Sequence, residues 1–478
     1  MKALDKEILR LAIPSILANI TVSLVGIADL AVAGHLRADG AAVLIGGVTL
    51  GSMLFDMLYW CFSFLRTGTG GLTAQAFGRG SFDECARIFG RGVGLALGVA
   101  AVVLLIQWPY LRVVSSFVSG TQEVHELMSR YFFIRIWAAP ATLSLFSIKG
   151  WFIGMQDSFS SMCTDLVVNG VNVAASIILA LGVGSWEGLG FSGIALGTVI
   201  AQYSGLLFST AVIAIKYRKV FRGFSPKGLF QGGESRRLMT MNRDYFVRSV
   251  CLLVVYVGFT AVSAGYGDMI LASGAILMKL LMLFSYFTDG FAYAGEALVG
   301  RYIGARDKAM TLKTVIHVVV WSMSIGTIFV ILYVVLGVPL LRLFTSDSAV
   351  VDYCRQFLLW LLPMPFFGCL AFTWDGLYEG ATASAPVRNS AIWSAIAFFG
   401  VWIALALPHG FIPASSLTSY PPLILHFIMA AYFAHLLARS IYQTIFWRKA
   451  ILIDPFRSPI FPDVDLVTAT KVRGGRGM

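Results

Sequence analysis

The sequence predicts an all-α integral membrane protein: twelve transmembrane helices in two six-helix lobes, a parallel repeat with a central cleft between the lobes. Three observations predict it. Of 478 residues, 58% are hydrophobic and only 13% are charged, which leaves no room for a large soluble domain. The apolar residues gather into twelve stretches, each about long enough to cross a bilayer. Two regions of the chain also match one another at a constant offset of 226 residues.

Hydropathy puts the spans near 7–34, 43–66, 87–109, 124–147, 159–183, 190–215, 244–265, 269–299, 312–341, 350–377, 388–408 and 420–446. The first apolar stretch is too long for a cleaved signal peptide and contains Asp29. A net charge of +11 could suggest nucleic acid in a soluble protein, but here the basic residues gather in alternate loops. With the N-terminus inside, 27 of the 36 Lys and Arg fall in inside segments and 5 in outside loops, leaving Arg135, Arg248, Lys279 and Arg439 within spans. Both termini are therefore expected in the cytoplasm, and the protein in a bacterial-type cytoplasmic (inner) membrane. The six cysteines are scattered without CxxC or Cys/His spacing, so neither a disulfide frame nor a metal centre is expected.

The organisation read from these elements is a first lobe over 1–216, a basic linker over 217–243, a second lobe over 244–446 and a tail over 447–478. The linker carries Gly223, Pro226, Gly228, Gly232 and Gly233, and reads as mobile. The tail, with Pro455, Pro459 and Pro462, reads as irregular or partly disordered. The repeat pairs Leu72 with Leu298, Gly78 with Gly304, Gly150 with Gly376, Phe152 with Tyr378, Gly154 with Gly380 and Ser158 with Ser384. Six spans per copy is an even number, so both copies face the same way, a plan suited to rocking alternating access.

Asp29 is the one charge in the run from Leu11 to Gly34, and a carboxylate at that depth is costly enough to imply use in proton relay, ion binding or substrate pairing. The fifth span carries Asp165, Asn169, Asn172 and Ser176 at helical spacing on one face, while the residues 226 positions on are Ala391, Ala395, Phe398 and Trp402. The sixth span adds Thr198 and Gln202 one turn apart, and the first adds Asn19 and Ser23. Together these oxygens suit a Na⁺ shell or a proton held by a hydrogen-bonded acid. Helix-to-helix adhesion is the alternative for the amides and hydroxyls. Asp165, near the cytoplasmic end, reads as solvated. Pro14 either permits a bend in the first span or is a passive first-turn proline.

Phe64-Leu-Arg-Thr-Gly-Thr-Gly-Gly-Leu-Thr-Ala-Gln-Ala-Phe-Gly-Arg-Gly80 resembles the segment after the second helix of the multidrug and toxic compound extrusion (MATE) family. Asp289-Gly-Phe-Ala-Tyr-Ala-Gly-Glu-Ala-Leu-Val-Gly300 resembles the eighth helix of its DNA-damage-inducible F branch, and Gly193-Ile-Ala-Leu-Gly-Thr-Val-Ile-Ala-Gln202 its sixth. The resemblance runs to about residue 446. It implies efflux of small organic, often cationic, compounds in exchange for H⁺ or Na⁺, with Asp29 in a first-lobe cavity beside Asn172 and Thr198. Ser176 stands where related sequences often have a second acid, which favours H⁺ over Na⁺. A bent first helix would give Pro14 a role. No other cofactor is implied, no nucleic acid, and a monomer is expected.

Asp56, deep in the second span, and Lys279, deep in the eighth, differ in depth by three residues under the 226 offset, about 4.5 Å of helix. They are expected either to pair across the cleft in one conformational state or each to lie in a wet cavity or bond locally; Lys279 also admits an anionic group on the substrate. Asp289, Glu296, Asp375 and Glu379 lie toward the cytoplasmic ends, where solvated or gating roles are expected. Two rivals differ in class. A lipid-linked oligosaccharide or lipid flippase of the wider superfamily would carry more in-span cations than these four. A channel or membrane sensor would need a filter-like loop or an effector domain. No metal constellation, nucleophile elbow or phosphate loop speaks for an enzyme.

Overall fold

A computed structural model describes residues 2–36, 41–116, 121–225, 229–230, 233–345, 347–407 and 421–457; the side chains at 2, 22–24, 27, 41–42, 233–234 and 421–422 lie outside that description. Regular structure among the described residues is helical, apart from one isolated bridge between Val183 and Trp186. The helices are α1 Lys2–His35, α2 Ala41–Cys61, α3 Phe64–Gly78, α4 Phe82–Leu105, α5 Gln107–Ser115, α6 Gln122–Arg135, α7 Ala139–Gly154, α8 Ser158–Leu181 and α9 Phe191–Lys216. They continue as α10 Gly233–Ala264, α11 Asp268–Gly304, α12 Lys308–Phe344, α13 Ser348–Arg355, α14 Met364–Gly380, α15 Ser384–Ala406, α16 Pro421–Trp447 and α17 Asp454–Arg457. Eleven spans among the described residues are long and apolar enough to cross a membrane, some built from consecutive helices such as α2–α3 and α6–α7. The 34-residue α1, roughly 50 Å long, supplies the length for a twelfth.

Helix ends follow local chemistry. Asp157 Oδ1 accepts from Ser160 N at 3.2 Å to start α8, and Asp307 Oδ1 accepts from Met310 N at 2.8 Å to start α12. Several spans run further than hydropathy suggests. The glycine-rich stretch read as following the second span is itself the helix α3, packed on α7 and α11. The stretch read as a mobile linker is docked: Phe221 packs on Phe89 and Trp151, Arg91 Nε donates to Leu229 O at 2.6 Å, and α10 begins at Gly233. Pro226, Gly228 and Gly232 fall outside the described residues. The tail stays helical to Arg457, with π-type winding over Arg448–Ile453, and Arg306 donates to the carbonyl of Pro455; residues 458–478 lie outside the description.

The repeat is written into the backbone contacts. A Cβ on Gly150 would lie 2.1 Å from Arg66 O, and one on Gly376 would lie 2.2 Å from Ala292 O, the same contact 226 residues later. Between the copies the contact is reciprocal: a Cβ on Gly78 would lie 2.0 Å from Arg301 O, and one on Gly304 would lie 2.1 Å from Gln75 O. The left-handed backbone positions also pair, Gly80 (φ +72°) with Arg306 (φ +58°) and Gln156 (φ +62°) with Thr382 (φ +57°). Each pair closes corresponding helices in the two lobes.

These contacts hold the lobes together at the end where α1 starts and α17 stops, the termini end of the described chain. There α3 crosses α11, Gln75 Nε2 donates to Gly380 O, and Gln156 Nε2 donates to Ala297 O. Toward the opposite end the lobes part, and facing stripes of α2 and α11 become accessible. On α2 these are Thr49, Met53, Asp56 and Trp60; on α11 they are Ala275, Lys279, Met282 and Tyr286.

Candidate functional site

The first lobe brings Asp29, Ser176, Asn172 and Thr198 to one buried place, because α1 lies along α8 and α8 along α9. Asp29 is 7% exposed, and Ser176 Oγ donates to its Oδ1 at 3.1 Å. One turn along α8, Asn172 Nδ2 donates to Thr198 Oγ1 at 3.0 Å. Asn172 Oδ1 is buried without a partner among the described residues. Gly197 lets α9 approach closely: a Cβ there would lie 2.7 Å from Ser176 Oγ. The polar stripe thus splits into separate contacts. Asn169 donates to Thr21 Oγ1 at 3.0 Å instead of joining Asp29. Asp165 is not simply solvated; it accepts from Lys149 Nζ at 2.9 Å. Asn19 reaches the other lobe, donating to Tyr286 O at 3.2 Å, and Gln202 stands half-buried on α9 outside these bonds. The side chain of Ser23 is outside the description.

Pro14 sits well inside α1, so a first-turn role is excluded. Its neighbourhood is a crossing between lobes, where a Cβ on Gly290 would meet Ile16 Cγ1 at 2.4 Å and Ala12 O at 2.8 Å. Below it, α1 is pinned to the second lobe: His317 bonds Asp5 at 2.8 Å, and Tyr302 Oη donates to Glu7 at 3.1 Å. α1 therefore touches both lobes, the first through Asp29 and the second through its opening turns.

Arg135 is the residue the structure adds to the sequence reading, where it is only one of four in-span cations. It donates to Ser52 Oγ and Tyr131 Oη at 3.2 and 3.1 Å and lies over the Phe55 ring. Asp29 and Asp56 both stand within its electrostatic reach. Asp56 and Lys279 face each other from the two walls but make no ion pair in this state.

In the second lobe the place equivalent to the polar stripe is filled by buried Ala391, Phe398 and Trp402. Its acids collect nearer the termini end: Glu296, Asp375 and Glu379 are buried and not solvated, and Asp289 is half-buried. Arg66 of α3 bridges the lobes, donating to Glu296 at 2.9 Å and to Glu379 at 3.3 Å. Asp375 accepts from Arg248, Arg439 and Gln443, and Asp289 stands within reach of Arg66. The Arg66 bridge joins the two lobes. Arg66 was counted as a loop cation; the helical reading of α3 is what exposes its position. Among the described residues no cluster of three or more His, Cys, Asp or Glu side chains could hold a metal ion.

Comparison with known proteins agrees with this architecture. A family model described as MatE matches residues 14–178 and 246–407, one match in each lobe. DNA damage-inducible protein F of Escherichia coli K12 is 34% identical over 398 residues, 82% of this chain and 84% of that protein. A probable multidrug resistance protein NorM of Neisseria meningitidis serogroup B is 22% identical over 421 residues, covering 83% and 89%. Among solved structures, a MOP superfamily transporter from Pyrococcus furiosus superposes with a TM-score of 0.77 at 14% identity, over 95% of this chain and 97% of that one. A MATE crystal structure in complex with MaD3S gives 0.76 at 16% identity, over 94% and 96%. The matches in both lobes and the close relative together place the chain in the MatE family of membrane transporters, in the branch of DNA damage-inducible protein F.

Proposed function

We propose that this protein exports small organic compounds across a bacterial cytoplasmic membrane by alternating access, driven by inward cation flow with H⁺ favoured over Na⁺. The observation that carries the reading is the buried Asp29–Ser176 contact, which ties α1 to α8 inside the first lobe. The loop-charge bias supports a cytoplasmic termini end, and the cleft then opens outward in this conformation. The relatives described as multidrug resistance proteins support the substrate class.

The proposed cycle works through α1. Ionised Asp29 accepts the Ser176 hydroxyl; a proton removes the charge and turns an acceptor into a donor. The unpartnered Asn172 Oδ1, one turn away on α8, is a buried acceptor available to such a donor. The rearrangement alters the hold of α1 on α8, and Pro14, which removes one helix hydrogen bond, lets the outer part of α1 move while its first turns stay docked on the second lobe. A ligand shifts such an equilibrium only through its differential affinity for the two states, and here the charge change supplies that difference. Na⁺ could use the oxygens of Asp29, Asn172 and Thr198, but Ser176 brings no second carboxylate, and one acid is a sparse shell.

The test is dye efflux in proteoliposomes, with pH and Na⁺ gradients imposed separately on wild type and Asp29→Asn. The expected result is pH-driven efflux by wild type and a loss of at least about tenfold in the variant. Full transport by Asp29→Asn under both gradients would overturn the coupling role.

A further inference from the structure

The geometry points to amphipathic zwitterions as the compounds this cleft accepts, with the cationic group held by the first lobe's wall and the anionic group by Lys279 on the second's. This rests on the exporter reading above and narrows its substrate class.

The two walls are the same surface used twice. The accessible stripe Thr49, Met53, Asp56, Trp60 on α2 maps by the 226-residue repeat onto Ala275, Lys279, Met282, Tyr286 on α11. Two of the four positions keep their character: Thr49 and Ala275 are small, Trp60 and Tyr286 aromatic. The middle two exchange charge for thioether. The first wall has methionine then acid; the second has lysine then methionine. Methionine at position 53 shows that an uncharged side chain serves this place in the fold, so packing alone does not call for a lysine at 279.

The charges differ in sign between the walls. On the first, Arg135, anchored by Ser52 and Tyr131, interacts electrostatically with Asp56 on the accessible stripe and with Asp29 buried behind it. Two carboxylates and one cation leave a net negative charge. On the second, Lys279 is exposed; Asp56 acts on it electrostatically from the first wall, but among the described residues no carboxylate forms an ion pair with it. A cation without an ion-pair partner inside a membrane span is costly unless a ligand or water uses it. The same two stripes carry Met53, exposed, and Met282, half-buried, whose flexible thioethers fit varied apolar bodies. At the inner end of the cleft Trp60 packs against Tyr256 of the second lobe at 5.7 Å, forming an aromatic floor. A purely cationic ligand would be repelled by Lys279. A purely anionic one would be repelled by the first wall. A molecule with both charges and an apolar body satisfies both walls.

The neutralisation of Asp29 proposed above would also act on such a ligand. With one carboxylate gone, Arg135 balances Asp56, and the first wall loses its net charge. The cationic group of the ligand then loses its partner while Lys279 still faces the other end.

The test uses a matched pair of dyes, rhodamine 110, which carries a free carboxylate, and rhodamine 123, its methyl ester. Binding to the purified full-length protein is read by fluorescence polarisation, and transport in proteoliposomes. Wild type should bind the free acid about tenfold more tightly than the ester. Lys279→Met and Lys279→Gln should each bring that ratio close to one, whereas Lys279→Arg should retain most of it. Asp56→Asn should weaken both dyes by similar factors, since both carry the cation. A ratio unchanged in Lys279→Met and Lys279→Gln, a wild-type preference for the ester, or no binding of either dye would overturn the proposal. Binding with the expected ratios but no transport under any gradient would instead overturn the exporter reading and leave the charge assignment standing.

Discussion

Replacing Gly304 by alanine should push the protein out of the conformation seen here. A Cβ at this position would lie 2.1 Å from Gln75 O, 2.9 Å from its carbonyl carbon and 3.0 Å from its Cα. An ordinary C···O contact is about 3.3 Å, so α3 and α11 must separate by roughly 1.2 Å at their crossing. The obstacle is backbone, and no rotamer change relieves it. Overpacking of this kind costs about 1–3 kcal/mol, and the cost falls only on states in which the lobes meet at the termini end. Where they part, alanine is neutral or gains a little helix propensity. The equilibrium should therefore shift about 5- to 150-fold toward the alternative state. Spin labels at Phe82→Cys and Leu312→Cys, exposed positions at this end of the two lobes, would report the change by pulsed electron resonance in a background lacking the six native cysteines. The distance distribution should gain a longer component in Gly304→Ala. The reciprocal Gly78→Ala, facing Arg301 O at 2.0 Å, should reproduce it, and Gly98→Ala, with nothing within 4 Å, should not. An unchanged distribution in both interface variants would refute the assignment of this crossing as a state-specific contact.

Two further outcomes follow from buried charge. Arg66→Met leaves Glu296 and Glu379 without their cation from the first lobe and should destabilise the packed state by about 3–5 kcal/mol; the same label pair reads the opening, and adding Glu296→Gln should restore part of the closed population. At the start of α8, outside the span, burial raises the Asp157 carboxyl, but Lys216, Ser160 and Tyr217 outweigh it and hold it below its ordinary value. A lowered carboxyl contributes stability above its unfolded pKa of about 3.9 and loses it as pH falls through the folded value. Asp157→Asn should therefore lower the melting temperature in detergent at pH 7, with the difference from wild type shrinking below about pH 4; a difference independent of pH would show that the charge contributes nothing.

The sequence makes legible whatever repeats locally or stands out against an apolar background. Asp29 is conspicuous because a lone carboxylate in an apolar run has few inexpensive explanations, and Asn172, Ser176 and Thr198 follow because helical spacing puts them on definite faces. The repeat is legible through glycines whose spacing is shared. The second charge cluster was harder to read. Arg66 sits in a run with five glycines between residues 67 and 80, and glycine argues against helix in isolation. In the folded chain those glycines let α3 approach α7, α11 and α14 so closely that tertiary packing overrides local propensity. The partners of Arg66 lie 230 and 313 residues away, and no local pattern announces a contact at that separation. Asp165 shows the same limit on a smaller scale: its depth was readable, but the Lys149 ammonium that answers it came from another helix.

The reciprocal crossing of α3 and α11 has an ancestral consequence. Because Gly78 meets Arg301 O as Gly304 meets Gln75 O, the surface is self-complementary, which is the property of an interface between identical subunits related by a two-fold axis. A six-helix chain bearing one such surface could have worked as a homodimer before duplication and fusion joined the copies. Identical subunits cannot bear opposite charges at matching positions without each carrying both. Duplication lifts that constraint, and the divergence of Asp56 from Met282, and of Met53 from Lys279, is the kind of asymmetry that only non-identical halves can acquire.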